Sequence, residues 1–503
     1  MPPRRPEPPT APRDLTRGPI AATLLLFALP ILGGNVLQSL NGSINAVWIG
    51  HLLGPDALAA IANANNILFL LLGAVFGVGM AATILVAQAI GRADLPGARR
   101  VIGTSATVFL GASVLVALAG LPLSGRVLAW MDTPAEALPH AEAYLQIIFL
   151  AVPFLYALAF LSAILRGAGD SRTPFLFLLL VVALDIVLVP LLLLGVGPLP
   201  AMGMAGAAAA NLIANALGVI AMLAWLRHRN HRLWIHRSER ALYRPDWTIV
   251  RALLAKGLPM GLQMVMLSAA MIAMISMVNR HGIVTTAGYG AALQLWTYVQ
   301  MPAMAIGAAC STMAAQNVGA GHWGRVSRVA GTGVAFNLLM TGVLIAALIL
   351  FDRHALALFL PAGGEILETA RHLNRIAIWS FLFFGVTFVL FGVVRSTGAV
   401  LPPLLILAVT LWGVRVPFAT WLQPVLGVDA IWWSFPASAI CAMALATGYY
   451  RWGGWRSARM LPDEEPVAIP SEVPAQPPSP IAGLCRAEDA SGRRHPAPAV
   501  RGA

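Results

Sequence analysis

Residues 174–195 read PFLFLLLVVALDIVLVPLLLLG. This unbroken run carries one charged side chain, Asp185, near its centre. At about 1.5 Å rise per residue, a helix of that length crosses a hydrocarbon layer of roughly 30 Å. Backbone groups in lipid must be paired internally, which leaves helices or closed barrels. Barrel strands alternate polar and apolar residues over about ten positions, and this run does not alternate. It reads as a membrane-spanning helix with an acid in its middle.

The rest of the chain follows the same pattern. Of 503 residues, 58% are hydrophobic and only 11% charged, with mean hydropathy +0.77. A soluble domain carries roughly 25% charged residues, so lipid is the solvent that fits. Twelve candidate spans emerge, at 20–49, 57–86, 98–121, 138–164, 174–195, 203–226, 252–279, 286–315, 328–350, 370–394, 400–421 and 430–451. The first is too long for a signal peptide. Residues 1–17 and 456–503 are rich in Pro, Ser and Arg, and read as disordered tails. The expected architecture is an all-α integral membrane protein: an N-terminal six-helix lobe over 18–226, a linker loop over 227–248, and a C-terminal six-helix lobe over 249–455.

The net charge of +12 would suggest nucleic acid in a soluble chain. Here the basic residues lie between the spans. Arg92, Arg99, Arg100, Arg166, Arg172, Arg325, Arg328 and Arg395 occupy connections on one side, and the 227–248 loop adds six more arginines. By the positive-inside bias both tails and that loop face the cytoplasm; no nucleic-acid partner is expected. Cys310, Cys441 and Cys485 have neither disulfide nor zinc spacing.

An internal repeat sets the architecture. LP at 29–30, AATILVAQAIG at 81–91 and ARRVIG at 98–103 return as LP at 258–259, AACSTMAAQNVG at 308–319 and SRVAG at 327–331. Gln88, Gly91, Arg100 and Gly103 recur 228 positions later as Gln316, Gly319, Arg328 and Gly331. LRGAGDSRTP at 165–174 is echoed by VRSTGAVLPP at 394–403. Six spans per half give both halves the same orientation, so these are parallel repeats about an axis along the membrane normal. Two pseudo-symmetric bundles with a site between them suit alternating access. No GxxxxGK motif occurs, which points to an ion gradient rather than ATP as the energy source.

Charged groups within the membrane are costly and mark pathways or partners. Asp185 is the candidate ion-coupling group, since a carboxylate there can gain a proton on one side and lose it on the other; a structural hydrogen-bonding role is the competing reading. On the first span Asn35, Gln38, Asn41 and Asn45 share a face. With Asn63, Asn65 and Asn66 on the second span and Asn211 and Asn215 on the sixth, they form either a polar substrate cavity or a set of interhelical hydrogen bonds. Gln263 and Gln294 are the second-half cavity candidates, with Asn279 and Trp296 and a run of methionines nearby. Pro30 bends the first span and is the candidate gating residue. Arg415, in LWGVRVPF, falls inside a span, where it must pair or snorkel.

At these residues the sequence resembles the bacterial multidrug and toxic compound extrusion family. The strings that carry the resemblance are LPILGGNVLQSL, IGHLLGPDALAA, VAQAIGRADLPGARR, LRGAGDSRTP, GMAGAAAAN, AAQNVGAG and GVDAIWWSFP, in order over residues 18–455. The resemblance implies an inner-membrane antiporter that exports drugs or metabolites, with two six-helix lobes and no enzymatic activity or cofactor. It implies exchange of amphiphilic, often cationic, organic molecules for protons or sodium. Asp185 matches the family's fifth-span acid and Pro30 its first-span proline. Three positions depart from the family: Asn45 replaces a first-span aspartate, Leu267 a second-lobe glutamate, and Phe384 a tenth-span acid. These losses favour a proton gradient over sodium. A monomer in contact with membrane lipids is expected. The alternative is a flippase for a lipid-linked precursor, which calls for a strongly basic cavity that the first-half polar set does not supply.

Overall fold

The structure is a computed structural model, and it describes residues 14–53, 73, 75–130, 138–195, 201–357, 359–360 and 364–461. The chain is an all-α, multi-pass membrane protein. Its first half comprises α1 (Ile20–Leu53), α2 (Val75–Gly91), α3 (Leu95–Trp130), α4 (Leu138–Gly167), α5 (Arg172–Leu194) and α6 (Met204–His228). Its second half comprises α7 (Trp247–Asn279), α8 (Ile283–Gly319), α9 (Trp323–Leu350), the short α10 (Asp352–Ala357), α11 (Glu365–Ala377) and α12 (Ser380–Arg395). These are followed by α13 (Leu401–Ala408), α14 (Val416–Trp421), α15 (Gln423–Leu426) and α16 (Asp429–Trp452), with a π-helical turn Val409–Arg415 joining α13 to α14.

Among the described residues nine helices have the length and apolarity to cross a bilayer, and the bent pair α11–α12 makes a tenth candidate. Helix α8 runs for 37 residues, but polar and small side chains such as Thr285, Thr286, Gln294 and Thr297 dilute its apolar character. The expected second span is described only from Val75 onward. The expected tenth span is two helices meeting at 43°. The cause lies in α11, EILETARHLNRIA, where a polar face alternates with the buried Leu367, Ala370, Leu373 and Ala377. The outer part of that span is amphipathic rather than uniformly apolar.

One turn repeats between the halves. Gly169 and Gly398 follow α4 and α12 with φ of +89° and +101°, a left-handed conformation that favours glycine. Asp170 then caps α5, its carboxylate accepting from the backbone N–H of Arg172 and Thr173, both at 3.0 Å, and from Thr173 Oγ1 at 2.6 Å.

The halves meet where α2 and α8 end, and the contact is reciprocal. Gln88 Nε2 donates to Ser396 O at 2.7 Å, and Gln316 Nε2 donates to Gly167 O at 2.9 Å. Gln88 and Gln316 are repeat equivalents, and so are Gly167 and Ser396. Each bond is the image of the other under exchange of the halves. Gly91 packs directly on the carbonyl of Gln316, and Gly319 on the carbonyl of Gln88. A methyl group at either glycine would enter the van der Waals surface of that carbonyl oxygen, so the crossing depends on the missing side chains.

Two segments assigned to tail and loop are docked. Leu15 is fully buried; its N–H donates to Gln316 Oε1 at 3.3 Å, and its carbonyl accepts from Asn317 Nδ2 at 3.1 Å. Arg325 donates to the carbonyls of Arg17 and Gly18. Composition alone placed 14–17 in the tail, but one leucine and three backbone contacts suffice to pin them. Within the 227–248 connection, a 3₁₀ helix (Arg237–Tyr243) lies against α3. Glu239 accepts from the backbone N–H of His236 at 3.0 Å and from Arg99 Nη1 at 2.7 Å. The His236 amide, then Arg99, hold its carboxyl below the usual carboxylate range against the cost of partial desolvation.

Candidate transport site

Asp185 lies halfway along α5, the most apolar of the described spans, and is 1% exposed. An isolated carboxylate is not tolerated there, so its partners decide what it can do. Helix α1 supplies them. Asn41 and Asn45 stand four residues apart on one helix face, and both amides donate to Asp185 Oδ2, at 2.9 Å and 2.7 Å. Close packing of α1 on α5 makes this reach possible: a side chain at Gly33 would press on the ring of Phe175. The second carboxylate oxygen, Oδ1, has no hydrogen-bond partner among the described residues, and neither do the Asn41 and Asn45 carbonyl oxygens. No cation pairs with Asp185 among the described residues.

The result is a buried carboxylate with one oxygen doubly solvated by amides and one oxygen open. Burial opposes the charge and the two donors support it. An arrangement of this kind can accept a proton on Oδ1 without breaking either existing bond.

The other candidates occupy different settings. Gln38 and Gln294 are exposed on α1 and α8. Asn211 is half-buried and bonded to Asn215 one turn away on α6, whose Nδ2 donates to Asn211 O at 2.8 Å and Oδ1 at 3.2 Å. Gln263 is 2% exposed and its amide donates to Val400 O at 3.4 Å, tying α7 to the start of α13. Pro30 lies inside α1. Asn63 and Asn66, and Asn65 between them, lie outside the described residues. Of the polar set, then, Asn41, Asn45 and Asp185 come together.

Sequence reasoning singled out Trp296 but missed its second-half partners. Trp296 Nε1 donates to Asn374 Oδ1 at 2.9 Å, inside a core formed by Tyr289, Trp432, Phe435 and Phe381. The signal was present as Trp and Tyr at helical spacing on α8, but nothing in one sequence pairs them with Asn374, 78 positions away.

The MatE family model matches twice, at residues 30–191 and 259–421. The probable multidrug resistance protein YoeA of Bacillus subtilis is 34% identical over 431 residues, covering 85% of this chain and 93% of its own. The probable multidrug resistance protein YpnP of the same organism is 32% identical, covering 90% and 99%. Among solved structures, a crystal structure of MATE in complex with MaL6 superposes with TM-score 0.81 at 21% identity, covering 87% of this chain and 97% of that one. With two matched repeats, two relatives above 30% identity over nearly their whole length and a shared fold, this chain belongs to the MATE family of multidrug transporters.

Proposed function

We propose that the chain is a proton-coupled antiporter that exports small amphiphilic organic molecules by alternating access. Membership in a family of secondary transporters supports transport without an enzymatic step, and the relatives' names as multidrug resistance proteins support the class of compound. Two six-helix lobes, 18–226 and 249–455, would rock about the α2–α8 crossing, with both termini cytoplasmic and the protein acting as a monomer in the inner membrane.

The observation that carries the coupling is Asp185, a buried carboxylate held at one oxygen by Asn41 and Asn45. Protonation of Oδ1 removes the charge that draws both amides inward. Asn41 and Asn45 lie beyond Pro30 on α1, so a change in their attachment is transmitted to a helix that proline allows to bend. Gln38, Asn63, Asn66, Asn211, Gln263 and Gln294 would contribute polar groups to the substrate path. A proton is favoured over sodium because the second-half positions where the family resemblance implies acids hold Leu267 and Phe384.

Ethidium accumulation in inverted membrane vesicles tests this reading. Vesicles containing the protein should accumulate dye under an imposed proton gradient without sodium, and empty vesicles should not. Accumulation that requires a sodium gradient would overturn the coupling assignment; no accumulation under either gradient would overturn broad export of cationic amphiphiles.

A further inference from the structure

The π-helical turn Val409–Arg415 changes how the two halves correspond. A π turn holds one residue more than the α-helical path it replaces. The repeat offset is 229 at Pro174 and Pro403, upstream of that turn, and the one added residue raises it to 230 at the turn's end. Arg415, the last residue of the turn, stands 230 positions after Asp185. The second half therefore places a guanidinium where the first half places its carboxylate.

The surroundings are inverted as well. Asn41 and Asn45 on α1 correspond, at an offset of 229, to Ala270 and Met274 on α7, both fully buried. No amide approaches Arg415 from that side. Instead Arg415 Nε donates to Ser438 Oγ at 2.9 Å, and its guanidinium carbon lies 4.6 Å from the ring centre of Phe435. Phe435 adjoins Trp296 at 5.4 Å and Tyr289 at 6.4 Å, and Tyr289 stacks on Trp432 at 5.6 Å. No carboxylate pairs with Arg415 among the described residues. The hydroxyl of Tyr289, a residue 2% exposed, has no hydrogen-bond partner among the described residues.

A guanidinium in a membrane span is retained when it faces a partner or a pathway. It offers five donors in a planar fork suited to carboxylate and phosphate, and Ser438 engages one. We propose that Arg415, Ser438 and Tyr289 form a binding site for the oxyanion of an aromatic or similarly flat apolar molecule, with Phe435, Trp296 and Trp432 as its wall. The inference rests on the exporter reading for its setting and adds to it: compounds that bear an oxyanion are held at this second-half site, and Asp185 is left to the proton.

Calorimetric titration of the purified full-length protein in uncharged detergent tests the site. The ligands are naphthalene carboxylate and its uncharged carboxamide, which share shape and apolar area. The intact protein should bind the carboxylate at least tenfold more tightly, Arg415→Lys should keep part of that preference, and Arg415→Gln should lose it. Equal binding of the two ligands by the intact protein overturns the proposal, and that comparison needs no variant to fold. A preference that survives in Arg415→Gln also overturns it. Competition by added phosphatidylglycerol, present in the intact protein and absent in Arg415→Gln, would assign the oxyanion to a lipid headgroup; its absence would assign a soluble compound. No gradient is imposed, so failure here is distinct from failure of proton-driven export.

Discussion

The α2–α8 crossing predicts that two methyl groups should open one end of the protein. Gly91→Ala and Gly319→Ala each place a carbon against the backbone carbonyl of the other helix, Gln316 or Gln88. Backbone cannot rotate away as a side chain can, so the helices must withdraw by roughly 1 Å to restore ordinary contact. Overpacking of this kind costs about 1–3 kcal/mol. One separation relieves both clashes, so the costs of the pair do not add. At about 1.4 kcal/mol per tenfold, the double variant should shift the balance of closed to parted halves by roughly fivefold to 150-fold. Nitroxide labels at Arg172→Cys and Leu401→Cys, repeat equivalents that are both exposed near the crossing, report the separation by double electron–electron resonance. Cys310, Cys441 and Cys485 are replaced by Ala in that background. The double glycine variant should gain a longer-distance population, while Gly331→Ala, which meets open space, should not. An unchanged distance distribution in a cooperatively folded double variant would refute the reasoning.

Three further outcomes follow from other contacts. Leu15→Ala removes a fully buried side chain between the tail and α8, and should cost about 2–5 kcal/mol, read as a lower midpoint of thermal unfolding in detergent. Asn374→Leu strands the buried Trp296 N–H at about 1–3 kcal/mol; the double variant with Trp296→Phe should recover part of that loss in the same melt. Glu239 titrates below its usual value near 4.5 in the folded protein, so its contribution is complete above that pH and is lost as pH falls through the lower folded value. Hydrogen exchange across 237–243 should therefore accelerate on acidification in the intact protein, and Glu239→Gln should remove that acid-dependent step.

Much of the fold was legible because lipid imposes a simple code. Apolar runs of span length marked nearly every helix, and the order of Gln88, Gly91, Gln316 and Gly319 announced the repeat before any contact was known. The same four residues proved to bond and pack reciprocally. Asp185 was visible as a lone charge in an apolar run, and the four-residue spacing of Asn41 and Asn45 put both amides on one face. That face meeting Asp185, rather than another helix, depends on the close α1–α5 approach at Gly33, which periodicity does not encode. The bend between α11 and α12 was hidden because amphipathic and apolar turns were read as one hydropathic segment. Arg415 was seen, but its correspondence to Asp185 was not: the π turn inserts one residue, and an ungapped comparison pairs Asp185 with Val414. Gln263 and Asn211 read equally as cavity groups or as interhelical partners; the Gln263 amide donates to the Val400 carbonyl, and half-buried Asn211 accepts from Asn215 on its own helix. Polar residues in a span satisfy each other whenever they can, and sequence alone does not distinguish that from facing a substrate.

Asp185 is the centre of the coupling account, and its isosteric replacement is the most direct test. Purified protein and Asp185→Asn, reconstituted at equal density in sodium-free proteoliposomes, would be compared for proton movement on addition of ethidium, followed with an internal pH dye. The account predicts dye-dependent proton flux in the intact protein and none in Asp185→Asn, although the variant keeps shape and hydrogen-bonding capacity. Equal proton flux in both would contradict it and remove Asp185 from the coupling step.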